Sequence, residues 1–230
     1  MSSALAHAGA DLILWARQAD PLERQARNVR AVCPRVLAQP VDLTRPNTVQ
    51  RAVGAALQRF GRIDILLNNA GIWGGDEALT LSRQVWDRVI ETNLTALFFL
   101  SQLIARSMAK RRYGKIINVS STSGVMALPH GAVYGSIKAG LMHLTRILAV
   151  EWGSMGVRVV GIAPGLFRTD MTRDVFADRR WLAKRRREIP LRRFGEPDDL
   201  GGLAVFLASS ASDHITGQTI IIDGGASLTT

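Results

Sequence analysis

Tyr134 and Lys138 stand four residues apart near the start of a helical pattern, so both side chains project from one face. A phenol titrating near about 10 is a weak base at neutral pH, and a neighbouring ammonium favours the phenolate and lowers that value. Such a pair can give or take a proton. Alone, a Tyr-x-x-x-Lys spacing is most often an ordinary surface contact, so its company decides its meaning. Ser121 lies at the carboxyl end of an expected strand, 13 residues before Tyr134. Asn93 lies in the polar step ETN of a long helical stretch. Asn68, Asn69, Ala70 and Gly71 form a small-residue turn after another expected strand, where backbone passes close to a ligand.

The elements that must position these groups alternate along the chain. Strands are expected at Leu12 to Trp15, Arg35 to Val41, Ile63 to Leu67, Lys115 to Val119, Val157 to Ile162 and Thr219 to Ile222. Helices are expected at Pro21 to Arg30, Pro46 to Phe60, Ser82 to Arg112, Ala132 to Trp152 and Asp198 to Ser209. The class is therefore α/β, a doubly wound parallel sheet with helices on both faces, in a single domain over 1–230. Between Pro164 and Pro190 the rhythm changes to a longer excursion with a charged helix, read as a lid over the carboxyl ends of the strands.

Composition bounds the function. With 47% hydrophobic and 21% charged residues the chain can bury one sizeable core. No run approaches the roughly 18 to 20 apolar residues of a membrane span, so membrane insertion is not expected. The start MSSALAHAGADLIL has no basic n-region, and Cys33 is the only cysteine, which together point to a reducing, cytoplasmic location. The net charge of +10 is carried by 25 Arg against 4 Lys, spread over the whole chain. That spread reads as solvated surface, and no basic-aromatic interleaving supports specific nucleic-acid binding. No metal site is expected.

In order, the Asp42-Leu43 pair, NNAG at 68–71, Asn93, SSTSG at 120–124, YGSIK at 134–138, PGLFRTDM at 164–171 and DGG at 223–225 resemble the short-chain dehydrogenase/reductase family. The resemblance runs from Ala8 to the C-terminus and implies a Rossmann-like, NAD(P)-dependent oxidoreductase that moves a hydride between cofactor and a carbonyl or secondary alcohol. It implies that Tyr134 is the acid/base, that Lys138 lowers its pKa and holds the nicotinamide ribose, that Ser121 orients the reacting oxygen, and that Asn93 anchors a proton-relay water. It further places Asp42 and Leu43 at the adenine, Asn69, Ala70 and Gly71 along the adenosine ribose, and Phe167 with Thr169 at the carboxamide. Outside that context Asp42 reads equally as a loop cap and Thr169 as a helix N-cap.

One departure is large. The family's T-G-x-x-x-G-x-G turn, which cradles the pyrophosphate, should precede a helix upstream of Ala8, and the chain starts inside that helix. The expectation is an N-terminally truncated form whose missing strand and turn lie in frame upstream. In the strand order 3-2-1-4-5-6 that strand is central, so two others are expected to lose their pairing partner. Ala16 offers no carboxylate to the adenosine ribose, and Arg17 can pair with a 2'-phosphate, which favours NADP with NAD as the alternative. The segment from Trp181 through IPLRRFGEPDDL looks most like family members acting on sugar acids. A 3-oxoacyl-[acyl-carrier-protein] reductase is the enzyme alternative, and an inactive scaffold unable to hold a dinucleotide is the non-enzyme one. The family resemblance implies a homotetramer, and the apolar Asp198 to Ser209 and Thr219 to Ile222 segments agree with assembly.

Overall fold

The computed structural model describes residues 1–75 and 77–229. Eight α-helices alternate with six parallel strands among these residues. The chain runs α1 (Ser2–His7), β1 (Leu12–Ala16), α2 (Ala19–Arg30), β2 (Val36–Pro40), α3 (Pro46–Phe60), β3 (Ile65–Asn68), α4 (Arg83–Ile90) and α5 (Ala96–Lys110). It continues through β4 (Gly114–Val119), α6 (Ala132–Gly153), β5 (Val157–Pro164), α7 (Arg179–Glu188), α8 (Gly201–Ala208) and β6 (Thr219–Ile222). Pro46 opens α3 at its first turn and Gly61 follows its last residue, which is why its bounds match the sequence expectation.

The strands form two ladders, β1-β2 and β3-β4-β5-β6, and no ladder among the described residues joins β1 to β3. Leu12 N donates to Arg35 O on the β2 side, so the alternation of a parallel ladder turns the backbone groups of Ile13 and Trp15 the other way. Lys115 N donates to Asp64 O in the same fashion, which turns those of Ile65 and Leu67 away from β4. Ile13 to Ala16 of β1 and Ile65 and Leu67 of β3 are accordingly only partly buried, whereas every residue of β4 is buried.

Side chains join the halves instead. Leu67, Val205 and Ala208 pack against the cluster of Leu5, Leu12, Ala26, Val29 and Val36 on the face carrying α1, α2 and α8. The opposite face carries α3, α5 and α6, where Val53, Ala56, Ile104, Met108 and Leu148 cover Leu66, Ile116 and Val159. Ile116 faces this cluster and Ile117 the α8 side, the two-residue period of a strand buried on both faces.

Two expected helices differ in detail. The stretch Ser82 to Arg112 is interrupted by a π-turn at Glu91–Thr95, and the final helix begins with a 3₁₀ turn at Pro197–Leu200 before α8. No helix among the described residues is long and apolar enough to cross a membrane.

Candidate active site

The carboxyl ends of β3, β4 and β5 bring Tyr134, Lys138, Ser121, Asn93 and Gly71 together. Beneath them lies a buried polar ladder. Asn68 Nδ2 donates to Ser101 Oγ and to Asn118 Oδ1, both at 2.8 Å, and Asn118 Nδ2 donates to Thr145 Oγ1 at 2.9 Å. These amides tie β3, β4, α5 and α6 at the level where the strands end, with each donor satisfied rather than stranded. Ser101, Asn118 and Thr145 were not recognisable in the sequence, because each is a lone polar residue inside an expected helix or strand and belongs to no motif. Only the cross-strand register Asn68 to Asn118 could have signalled the pairing.

Ser121 caps a 3₁₀ turn at Thr122–Gly124 by accepting from Ser123 N at 3.1 Å. That turn lies backbone to backbone on α6. A Cβ at Gly124 would stand 2.8 Å from Ala139 N, and one at Gly135 would stand 2.9 Å from Ser123 O. Ser120 Oγ adds a bond to Lys138 O at 2.6 Å. This contact brings Ser121 near enough to Tyr134 to act on its pKa. Gly124→Ala is expected to push the turn off α6, costing about 1–3 kcal/mol of stability and at least about tenfold in turnover through misplacement of Ser121. Thermal unfolding and steady-state kinetics of the variant check both; unchanged values would show that the close approach is dispensable.

Tyr134 is buried, and its burial raises the phenol above its ordinary value while the Ser121 hydrogen bond pulls the other way. Lys138 is 3% exposed and burial holds its ammonium down to about 8. Its Nζ donates to Val119 O at 2.8 Å and lies 5.5 Å from the Tyr134 ring centroid. The expected lowering of the phenol by Lys138 is thus absent from this geometry: desolvation of the phenol dominates. The phenol is the protonated form at neutral pH, ready to donate.

Asn93 is fully buried in the π-turn. Its Oδ1 accepts from Ile72 N and its Nδ2 donates to Ile72 O, each at 2.8 Å. Both polar atoms of the side chain are therefore committed to the turn after β3, and a π-turn is a frequent mark of a functional position. Asn69 and Ala70 precede Gly71 in that turn, Asn69 exposed and the other two partly buried.

The remaining candidates sit around this centre. Phe167 is buried, bridges to Gly195, and its carbonyl accepts from Thr172 Oγ1 at 2.6 Å. Thr169 forms a capping box with Thr172 at the next 3₁₀ turn, the local role that its type suggests. Asp42 and Arg17 follow β2 and β1 on the other ladder. Asp42 Oδ1 accepts from Thr44 N at 3.0 Å and Thr44 Oγ1 at 2.7 Å, which lowers its pKa, with Arg45 and Arg17 adding to the effect. It is thus a loop cap with a second oxygen 3.5 Å from Arg45 Nε. Leu43 is half-buried against the main core.

A nicotinamide dinucleotide fits these groups at both ends. A Cβ at Gly71 would stand 3.4 Å from Asn93 Oδ1 and 3.7 Å from Lys138 Nζ, so glycine keeps the floor beside the ammonium open. Lys138 has one hydrogen-bond acceptor among the described residues, which leaves donors suited to a ribose diol. Arg17, exposed at the end of β1, suits an adenosine phosphate.

Comparison with known proteins agrees with this reading. The family model for enoyl-(acyl carrier protein) reductase matches residues 1–227. Gluconate 5-dehydrogenase of Gluconobacter oxydans (strain 621H) is 37% identical over 228 residues, covering 98% of this chain and 88% of the relative. A gluconate 5-dehydrogenase from Burkholderia cenocepacia J2315, solved in complex with NADP and tartrate, superposes with a TM-score of 0.92 at 33% identity, covering all of this chain and 90% of that one. A short-chain type dehydrogenase/reductase from Mycobacterium marinum gives 0.91 at 34% identity, covering 98% and 89%.

Proposed function

The chain belongs to the short-chain dehydrogenase/reductase family, and on that premise we propose that it is an NAD(P)-dependent oxidoreductase of a sugar acid, with Tyr134 moving the proton. The dinucleotide, when bound, supplies or accepts the hydride. In reduction the Tyr134 phenol donates its proton to the carbonyl oxygen; in oxidation the phenolate takes it from the hydroxyl. Ser121 holds that same oxygen. Lys138 grips the ribose hydroxyls with the ammonium donors that Val119 O leaves over. Asn93, its side chain spent on Ile72, holds the turn, and we assign its backbone, through a bound water, to the proton relay toward Lys138.

The observation that carries the reaction class is the seating of the Ser121 turn against α6 beside the buried Tyr134, with the buried Lys138 ammonium beside the same ring. Asn69, Ala70, Gly71, Phe167 and Thr169 are assigned to the cofactor by their place around this centre, and Asp42 and Leu43 by their place on the adjoining ladder. NADP is favoured by the exposed Arg17 and by the absence of a carboxylate at Ala16. The sugar acid rests on the gluconate-acting relatives and on α7, whose Arg179, Arg180, Lys184, Arg186 and Arg187 are exposed. We read the lid as 164–190, the whole chain as one domain, and the compartment as cytoplasmic.

The test is turnover on a panel of keto sugar acids and 3-oxoacyl thioesters with NADPH and NADH, followed by the absorbance of the reduced dinucleotide. Reduction of a keto sugar acid, faster with NADPH, is expected. Preference for a thioester would replace the substrate with the acyl-carrier alternative, and no dinucleotide binding would leave the scaffold reading. The exposed Phe99, Val150, Phe206 and Ile221 support assembly into a homotetramer, which light scattering of the same preparation checks; a monomer mass would refute it.

A further inference from the structure

The turn after β3 delivers one large aromatic group onto Tyr134. The Trp73 and Tyr134 rings lie 4.8 Å apart between centroids, tilted by 57°. Three contacts fix the backbone on either side of the indole. Ile72 is held through both its N–H and its C=O by Asn93. Gly74 is buried against α4, where a Cβ would fall 2.2 Å from Val89 Cγ2. Gly75 lies flat on the indole itself, since a Cβ there would stand 2.1 Å from Trp73 Cζ2 and 2.3 Å from Cε2. The ring is therefore clamped between the Gly75 backbone and the Tyr134 phenol, yet 44% of the residue remains exposed. An indole seated this firmly at a site, with nearly half its surface open, is a preformed wall.

We propose that Trp73 is a positioning residue for Tyr134 and the wall that sets substrate size. One side of the indole holds the phenol in its productive direction, and its exposed surface receives the C–H face of a short polyhydroxy acid. This rests on the function proposed above. The chemistry fits that substrate class: a flat aromatic surface packs against the carbon chain of a polyol while the hydroxyls stay free for polar partners. The wall also closes the space above the phenol to branched or cyclic ketones. Positioning matters because small misplacement of a proton-transfer group costs a large factor in rate.

The test compares Trp73→Phe, Trp73→Ala and Gly75→Val with the parent. Trp73→Ala is expected to raise KM for the keto sugar acid about tenfold, lower kcat by about tenfold or more, and admit bulkier ketones, while dinucleotide affinity stays within about twofold. Trp73→Phe should recover most of the loss, because a ring remains on Tyr134. Gly75→Val should reproduce the Ala phenotype with the indole still present, because its side chain takes the seat. Values for Trp73→Ala within twofold of the parent, or failure of Phe to do better than Ala, would overturn the proposal. If Trp73→Ala does not fold, the Phe and Gly75→Val arms decide in the same way. Indole emission separates this inference from the reaction itself. The parent minus Trp73→Phe difference spectrum should respond to the sugar acid even where no turnover is seen. A silent difference spectrum in a parent that turns the substrate over would sink the wall, and a parent with neither response loses both readings.

Discussion

Tyr134→Phe is expected to lower turnover by about 10²- to 10⁴-fold while dinucleotide affinity changes by no more than about twofold. The phenol oxygen is the only part of that side chain that can carry a proton, and Ser121 lies close enough to pull its pKa down against the effect of burial. The ring contributes packing against Trp73 and the Lys138 ammonium, and phenylalanine keeps both. The burial of the site is retained as well, so the variant should fold with a thermal midpoint near that of the parent. Full activity in the Phe variant would remove Tyr134 from the proton-transfer role. Fluorescence titration with NADPH distinguishes that outcome from a general loss of the site.

Lys138→Met is expected to abolish turnover and at the same time make the protein more stable. Among the described residues the buried ammonium has a single acceptor, Val119 O, and its pKa of about 8 lies well below the 10.5 of an unperturbed lysine, the value that the unfolded chain would show. Below about pH 8 the folded protein therefore carries the full cost of a charge held out of water. Each pKa unit is worth about 1.4 kcal/mol, so the shift bounds that cost at about 3 kcal/mol. Methionine fills similar volume without charge and leaves Val119 O unpaired at a cost of about 1 kcal/mol. The net gain is about 1–2 kcal/mol at pH 7, a rise of roughly 2–8 °C in Tm for a chain of this size. The sign with pH follows directly. Between about 8 and 10.5 the unfolded parent binds more protons than the folded one, so the parent gains stability as pH rises and the advantage of the Met variant shrinks. A Met variant that is less stable than the parent at neutral pH would show that the ammonium is well compensated where it lies.

Much of this site was legible from residue types alone. The bounds of α3 and β6 match because Pro46 and Gly61 punctuate one and a short apolar run before paired glycines marks the other. Tyr134, Lys138, Ser121 and Asn93 converge because each follows a strand or lies on a helix that returns to the same sheet edge. The direction of the phenol's pKa was not legible, since desolvation depends on what covers Tyr134 and spacing reports only the nearby cation. The π-turn at Asn93 was not legible either, because one extra residue in a helix leaves the apolar period nearly unchanged. Trp73 escaped notice for a simpler reason: a lone aromatic in a loop belongs to no period, and its partner lies 61 residues downstream.

The break between the two ladders bears on how the molecule behaves in a crowd of its own copies. Strand edges that keep unspent donors and acceptors are templates for other strands, and sheets ordinarily blunt them with charge, proline or a cover. Neither LILWA in β1 nor ILLN in β3 contains a charged residue or a proline. Both have high β-propensity and short apolar sequence, the composition that stacks readily between chains. The large positive charge of the rest of the surface is then the main force keeping copies apart. Colloidal stability should accordingly hang on ionic strength: salt that screens the arginines leaves the two edges free to recruit strands from their neighbours.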